Sequence, residues 1–363
     1  MENLIVANSI LALLKEHPKC SNLQIKVGKP IAYKIPLGMR RLNDIINPED
    51  VEAFAQFSNP KWKIQLEKLG GQFSEAFNIG NDKRLRATFF FGGGNNNLSI
   101  SIRIHPVEIP TLEELGVDPK LKKLLFQNKQ GLIIVSGPTN AGKSTTQFSL
   151  LNDLNKTAPM HIETLEDPIE FVLVDDMSEI TQREVPTDVP TFGQGVREMT
   201  RHNPDLIMIG EMMDRETIDA MLNIANSGHL VIAGTHAQSA EDSIKELLKY
   251  YSGPELDLKR SQLAASLLAA TSQKILPSTD GKSNVMVYDL LINNSQVSKA
   301  INEGNTAALK LYMASDAKGE SVSFNETLAK KFLANKIKLQ DAFNASNETT
   351  QLQRLCGGQK PSM

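Results

Sequence analysis

Gly137-Pro138-Thr139-Asn140-Ala141-Gly142-Lys143-Ser144-Thr145 is the stretch that decides the fold of this chain. It fits the phosphate-loop pattern, in which two spaced glycines are followed by Lys and then Ser or Thr. Its flanks fit too. Gly131-Leu132-Ile133-Ile134-Val135-Ser136 reads as a short buried strand. Lys143 to Leu154, with apolar Phe148, Leu150, Leu151 and Leu154, reads as the helix after the loop. The chemistry needs these residue types. Glycines let the backbone wrap closely around phosphate oxygens. The loop amides and the helix N-terminus offer positive partial charge to that anion. Lys143 adds a full charge for the β- and γ-phosphates, and the Ser144 hydroxyl is a ligand for Mg²⁺. The expected cofactors are therefore ATP and Mg²⁺.

Length and composition bound the rest. The chain has 363 residues, enough for two domains of about 100–200 residues each. A hydrophobic share of 40% and a charged share of 22% are ordinary for a globular protein. A net charge of −3, with no basic, aromatic-rich stretch, argues against direct nucleic-acid binding. The two cysteines, Cys20 and Cys356, read as free thiols in a reducing compartment. No apolar run approaches the roughly 18 residues of a spanning helix. Met1-Glu2-Asn3-Leu4-Ile5 lacks the basic start of a secretory signal. The expectation is a cytoplasmic protein without membrane insertion, held peripherally at the inner face of a membrane through partners.

Residues 1–105 differ in texture from the rest of the chain. Asn3 to Lys15 carries a helical apolar stripe, and Leu23–Val27 and Ile31–Ile35 read as strands. Asn47-Pro48 reads as an N-cap and first helical position. Leu85–Phe91 and Leu98–Ile104 flank Gly92-Gly93-Gly94-Asn95-Asn96-Asn97, a hairpin with a flexible tip. This predicts a small α+β domain with an antiparallel sheet. Residues 106–119 read as a linker. From Lys120 strands and helices alternate: Leu132–Val135, His161–Leu165, Leu206–Ile209 and Leu230–Ala233, with helices near Thr191–Thr200 and Arg215–Ser227. That alternation predicts an α/β domain over 120–345 with a largely parallel sheet. Residues 255–345 read as mostly helical around a strand pair at Asn284–Ile292, and 346–363 as a polar, disordered tail.

Three acidic or histidine-bearing stretches lie beyond the loop. Asp205-Leu206-Ile207-Met208-Ile209-Gly210-Glu211 is a buried strand delivering Glu211 to its C-terminal end, where it can hold a Mg²⁺-bound water. Leu165-Glu166-Asp167-Pro168-Ile169-Glu170 brings three carboxylates together after another strand. Glu166, nearest the strand end, is the choice for orienting and deprotonating the attacking water. Gly228-His229 and Gly234-Thr235-His236 bracket a further strand. Both histidines are expected at one edge of the sheet, as γ-phosphate sensors or links between subunits.

Together these residues resemble the hexameric secretion and pilus ATPases, and within them the PilT-type retraction motors. Four blocks carry the resemblance in order: Gly137–Thr145, Thr164–Phe171, Asn203–Asp214 and Gly228–His236, with Thr181-Gln182-Arg183-Glu184-Val185 between them. The resemblance implies a RecA-like P-loop ATPase core behind a smaller PAS-like N-terminal domain, assembled as a homo-hexameric ring. It implies that Arg86 and Arg103 reach the phosphates, that Glu166 is the catalytic base, that Glu211 helps to hold Mg²⁺, and that His229 and His236 form a histidine box. It further implies an inner-membrane platform protein as partner, with a second motor ATPase as another. Several positions depart from the family pattern. Asn140-Ala141 stands where Gly-Ser is usual, which should narrow backbone freedom in the loop. In Gly210-Glu211-Met212-Met213-Asp214 a Met stands where an Arg is common. The stretches around Pro190–Gly195 and Gln273–Gly281 are similar to Dot/Icm-type and conjugative transfer ATPases. The favoured function is ATP hydrolysis powering type IV pilus retraction. Driving secretion or conjugation, or regulating a main motor as a catalytically weak partner, are the alternatives.

Overall fold

A computed structural model describes residues 4–360 apart from 19, 36–37, 81–82, 93–96, 107, 282 and 317–318. Most of the expected hairpin tip therefore lies outside the described residues. The chain forms two compact units, one of residues 1–109 with 168–172, the other of 110–167 with 173–363.

The first unit holds an antiparallel sheet of β1 (Asn22–Lys26), β2 (Pro30–Ile35), β3 (Gly38–Ile45), β4 (Gln72–Ile79), β5 (Lys83–Gly92) and β6 (Asn97–Pro106), in the order β3-β2-β1-β6-β5-β4. Strand period explains its core. Leu23 and Ile25, Leu85, Ala87 and Phe89, and Ile100 and Ile102 alternate onto one face and are fully buried. They pack in one cluster with Ile10 and Leu13 of the helix Ile5–Glu16 and with Phe54 of the helix Pro48–Ser58. Each such large apolar side chain contributes about 1.5–3 kcal/mol. Pro48 opens its helix as the sequence suggests, and the Asp50 carboxylate accepts from the Asn47 amide at 3.3 Å. The other sheet face is polar, with Ser74 and Thr88 bonded across β4 and β5.

The second unit carries a seven-stranded sheet. Its strands are β7 (Gly131–Ser136), β8 (His161–Glu166), β9 (Glu179–Glu184), β10 (Leu206–Ile209), β11 (Leu230–Thr235), β12 (Leu267–Pro277) and β13 (Asn284–Ile292). They run in the order β13-β12-β7-β11-β10-β8-β9, and only the β12–β13 pairing is antiparallel. Every residue of β7, β10 and β11 is buried, as in a parallel sheet covered on both faces. Helices Lys143–Asn155, Phe192–Met199, Arg215–Asn226, Ala240–Leu248 and Gly253–Ser266 supply that cover.

Three expectations change. The stretch Leu267–Pro277 is a strand rather than part of a mostly helical region. Its Leu/Ala spacing suits a helix, but nine paired residues with β13 and parallel pairing with β7 override that preference. The expected linker contains the helix Leu112–Leu115, capped by Thr111 and Glu114, and belongs to the second unit from Pro110 onward. The expected disordered tail contains the helix Thr349–Leu355, with Leu352 and Cys356 fully buried one turn apart. Both cysteines are buried thiols outside any disulfide, and burial pushes both above the usual thiol range. Among the described residues no helix is long and apolar enough to cross a membrane.

Candidate active site

Because β7, β11, β10 and β8 are parallel neighbours, their C-terminal ends share one edge of the sheet. The phosphate loop leaves β7, His236 comes directly after β11, Glu211 lies two residues past the end of β10, and Glu166 ends β8. Four stretches distant in sequence thus meet where ligands bind in open α/β sheets.

The loop is shaped by its backbone. Gly137 stands at φ 147°, and a Cβ there would sit 2.5 Å from the Gln273 carbonyl oxygen of β12. Asn140 occupies the left-handed region at φ 68°. This answers the expectation that Asn140-Ala141 narrows the loop's freedom, since Asn tolerates that region better than other residues with a Cβ. Asn140→Gly is therefore expected to keep nucleotide affinity. Asn140→Val should cost about 1–2 kcal/mol and weaken ATP binding, read by urea unfolding and nucleotide titration. Ala141 is buried, and its carbonyl accepts from the Gln273 amide at 2.7 Å. Gly142, at φ 82°, is the N-cap of the 13-residue helix Lys143–Asn155. No side chain caps that helix start, so its first amides and dipole face the loop.

Lys143 is 9% exposed. Its ammonium donates to the carbonyls of Gly137 at 2.9 Å and Pro138 at 3.4 Å, and lies 3.2 Å from His236 Nδ1. An ammonium has no acceptor, so Nδ1 must present its lone pair. That places the ring proton on Nε2, which lies 3.1 Å from Glu211 Oε1. Lys143, His236 and Glu211 thus form one chain, with the His tautomer fixed by its neighbours. Two glycines permit this approach of strand ends. A Cβ on Gly234 would collide with the Gly210 carbonyl oxygen, and the Met212 amide donates to the Gly234 carbonyl at 2.9 Å.

Glu166 is 3% exposed. Its Oε1 accepts from the Thr164 hydroxyl at 2.6 Å and from the Gln182 amide at 3.0 Å. Gln182 lies on β9, whose register pairs it with Thr164. These donors orient a carboxylate that protrudes little into solvent.

His229 does not join the group. It precedes β11 while His236 comes after it, so six strand residues, about 20 Å of rise, separate them. The His229 carbonyl instead accepts from the Gly131 amide at the start of β7. The expected common edge for both histidines is corrected accordingly, because one strand cannot present both its ends at one edge. Arg86 and Arg103 belong to the first unit, directly opposite one another on β5 and β6. They lie on the face away from the helices, and Arg86 Nη1 is 3.7 Å from Glu170 Oε1. The acidic stretch is thereby divided: Glu166 closes β8 in the second unit, while residues 168–172 fold with the first. The sequence marks Thr181–Val185 and Gln273–Gly281 as family-like stretches but gives neither Gln182 nor Gln273 a role. An amide inside a strand signals nothing until register shows what it touches.

Comparison with known proteins gives the family. The family model for type II/IV secretion system proteins matches residues 93–351. The chain is 36% identical over 302 residues to the protein YggR of Escherichia coli, covering 83% of this chain and 90% of that one. It is 31% identical over 346 residues to the type IV pilus ATPase PilU of Pseudomonas aeruginosa, covering 92% and 86%. The crystal structure of the pilus retraction motor PilT with bound ADP superposes with a TM-score of 0.84 at 33% identity, covering 95% of this chain and 99% of that one. Motif, sheet order and likeness together lead to one conclusion: the chain belongs to the type II/IV secretion system protein family, with a RecA-like core, and is an ATP hydrolase of the pilus-motor kind.

Proposed function

We propose that this chain works as a homo-hexameric ring that uses ATP to retract a type IV pilus, acting from the cytoplasm on an inner-membrane platform protein. The observation that carries this reading is the Lys143–His236–Glu211 chain beside the buried Glu166, within a fold matched to PilT over 95% of its length. In this reading the amides of 137–145 cradle the β- and γ-phosphates. Lys143 exchanges its loop carbonyls for phosphate oxygens. That exchange releases His236 Nδ1 from Lys143, while Nε2–H keeps its partner Glu211. The Ser144 hydroxyl, and the Glu211 carboxylate through a water, supply oxygens that suit a hard cation and so would hold Mg²⁺. When bound, Mg²⁺ neutralises charge building on the β- and γ-oxygens. Glu166 orients the attacking water and takes its proton. Arg86 and Arg103 supply further positive charge to the phosphates in a closed subunit. Closure and reopening, coupled around the ring, move the partner.

The ring is tested by light scattering of the purified protein with ATP and Mg²⁺. A mass near six times the 40.0 kDa chain is expected, with hydrolysis in the same sample. A strict monomer at micromolar concentration would overturn the ring.

A further inference from the structure

We propose that Asp289 is a positioning residue for the ATPase site, fixing the backbone that carries His236. The proposal rests on the role given to His236 above. Asp289 lies on β13 opposite Ser272 of β12 and is 2% exposed. Its Oδ1 accepts from the Ser272 amide at 2.8 Å, and its Oδ2 accepts from the Ala240 amide at 3.0 Å. Ala240 is the first residue of the helix Ala240–Leu248. Three residues earlier, the Ala237 carbonyl accepts from the Ser272 hydroxyl at 3.3 Å. The segment between His236 and the helix is thus fastened at both ends to one cross-strand pair. The neighbouring Gln273 holds Ala141 of the phosphate loop. The β12–β13 hairpin therefore sets the spacing between Lys143 and His236, two groups 3.2 Å apart, one at the start of a helix and the other just past β11.

A carboxylate is an unusual choice for this place. Burial outweighs the two amide hydrogen bonds and pushes the Asp289 carboxyl up to about 7. It also lines a cavity of about 210 Å³ with residues of the helices Ala240–Leu248, Thr306–Ser315, Phe324–Leu333 and Thr349–Leu355. The charged groups around it are Glu241 from the helix Ala240–Leu248, Lys274 from β12, Lys310 from the helix Thr306–Ser315, and Glu348 ahead of the helix Thr349–Leu355. Protonation removes acceptor capacity from an oxygen that now serves a backbone amide. The two amide bonds weaken as the pH falls through 7, while the raised value means that the folded chain as a whole is favoured by that protonation.

The test is a double-mutant cycle in the full-length chain: Asp289→Ala and Asp289→Asn, each alone and with His236→Ala. Asp289→Ala is expected to lower kcat on the order of 10- to 100-fold by misplacing the loop, with nucleotide affinity within about twofold of the parent. Asp289→Asn keeps one acceptor oxygen, so it should recover part of that loss and remove an acid-side ionisation near pH 7 from the kcat profile. If Asp289→Ala does not fold, the Asn variant carries the cycle. On the His236→Ala background, the Asp289 effect should vanish. An equal loss on both backgrounds sinks the proposal and leaves the role of His236 standing. Unchanged turnover in His236→Ala alone sinks that role, and the proposal with it.

Discussion

Lys143→Ala is expected to reduce ATP turnover by at least about 10²- to 10³-fold, the usual effect of deleting one preorganised charge from a transition-state clamp. The fold should survive. The Lys143 ammonium donates to two loop carbonyls and lies beside a histidine nitrogen. The backbone that shapes the loop does not depend on it. Gly137 and Asn140 keep their positive φ, and Gln273 still holds the Ala141 carbonyl. His236 loses the donor that pins Nδ1 as an acceptor, so both tautomers become available and its pairing with Glu211 loosens. Melting temperature within a few degrees of the parent, with phosphate release at background, is the expected pair of results. Turnover at the parental rate would remove Lys143 from the site.

Strand–loop–helix at Gly131–Asn155 was legible because its signals are local: a run of apolar residues, spaced glycines, then Lys-Ser and the apolar Phe148, Leu150, Leu151 and Leu154. The strand Leu206–Ile209 keeps the bounds its apolar run suggests. The illegible parts depend on contacts between distant segments. β12 looks helical until β7 and β13 flank it. β3, at an edge and largely exposed, has too little alternation to declare itself. Gln182, Gln273 and Asp289 act only through neighbours on adjacent strands, so their residue types carry no message along the chain. His229 shows the converse error. Two histidines flanking one strand look like a pair in sequence, and the strand's length separates them. Asn140 departs from the family pattern by residue type, yet adopts the left-handed backbone that a glycine would.

Glu166→Gln should separate binding from chemistry. Nucleotide affinity is expected to stay within about twofold of the parent, while single-turnover hydrolysis falls on the order of 10²- to 10⁴-fold, the range ascribed to a general base. The substitution is isosteric, and the surroundings can accept it. Both the Thr164 hydroxyl and the Gln182 amide donate to Oε1, and both can still donate to the oxygen that the new side chain retains in that place. Lost hydrolysis could not then be ascribed to a collapsed β8. The parent carboxylate is suited to its task by both donors, which fix its orientation at the strand end. Glu170 is the necessary control. Its carboxylate lies 3.7 Å from Arg86, within residues that fold with the first unit, so Glu170→Gln should alter that pairing and not the proton transfer. If Glu166→Gln hydrolyses at the parental rate, the base does not lie at the end of β8. If only Glu166→Gln is silent and still binds ATP, the buried carboxylate at the end of β8 is the group that activates water.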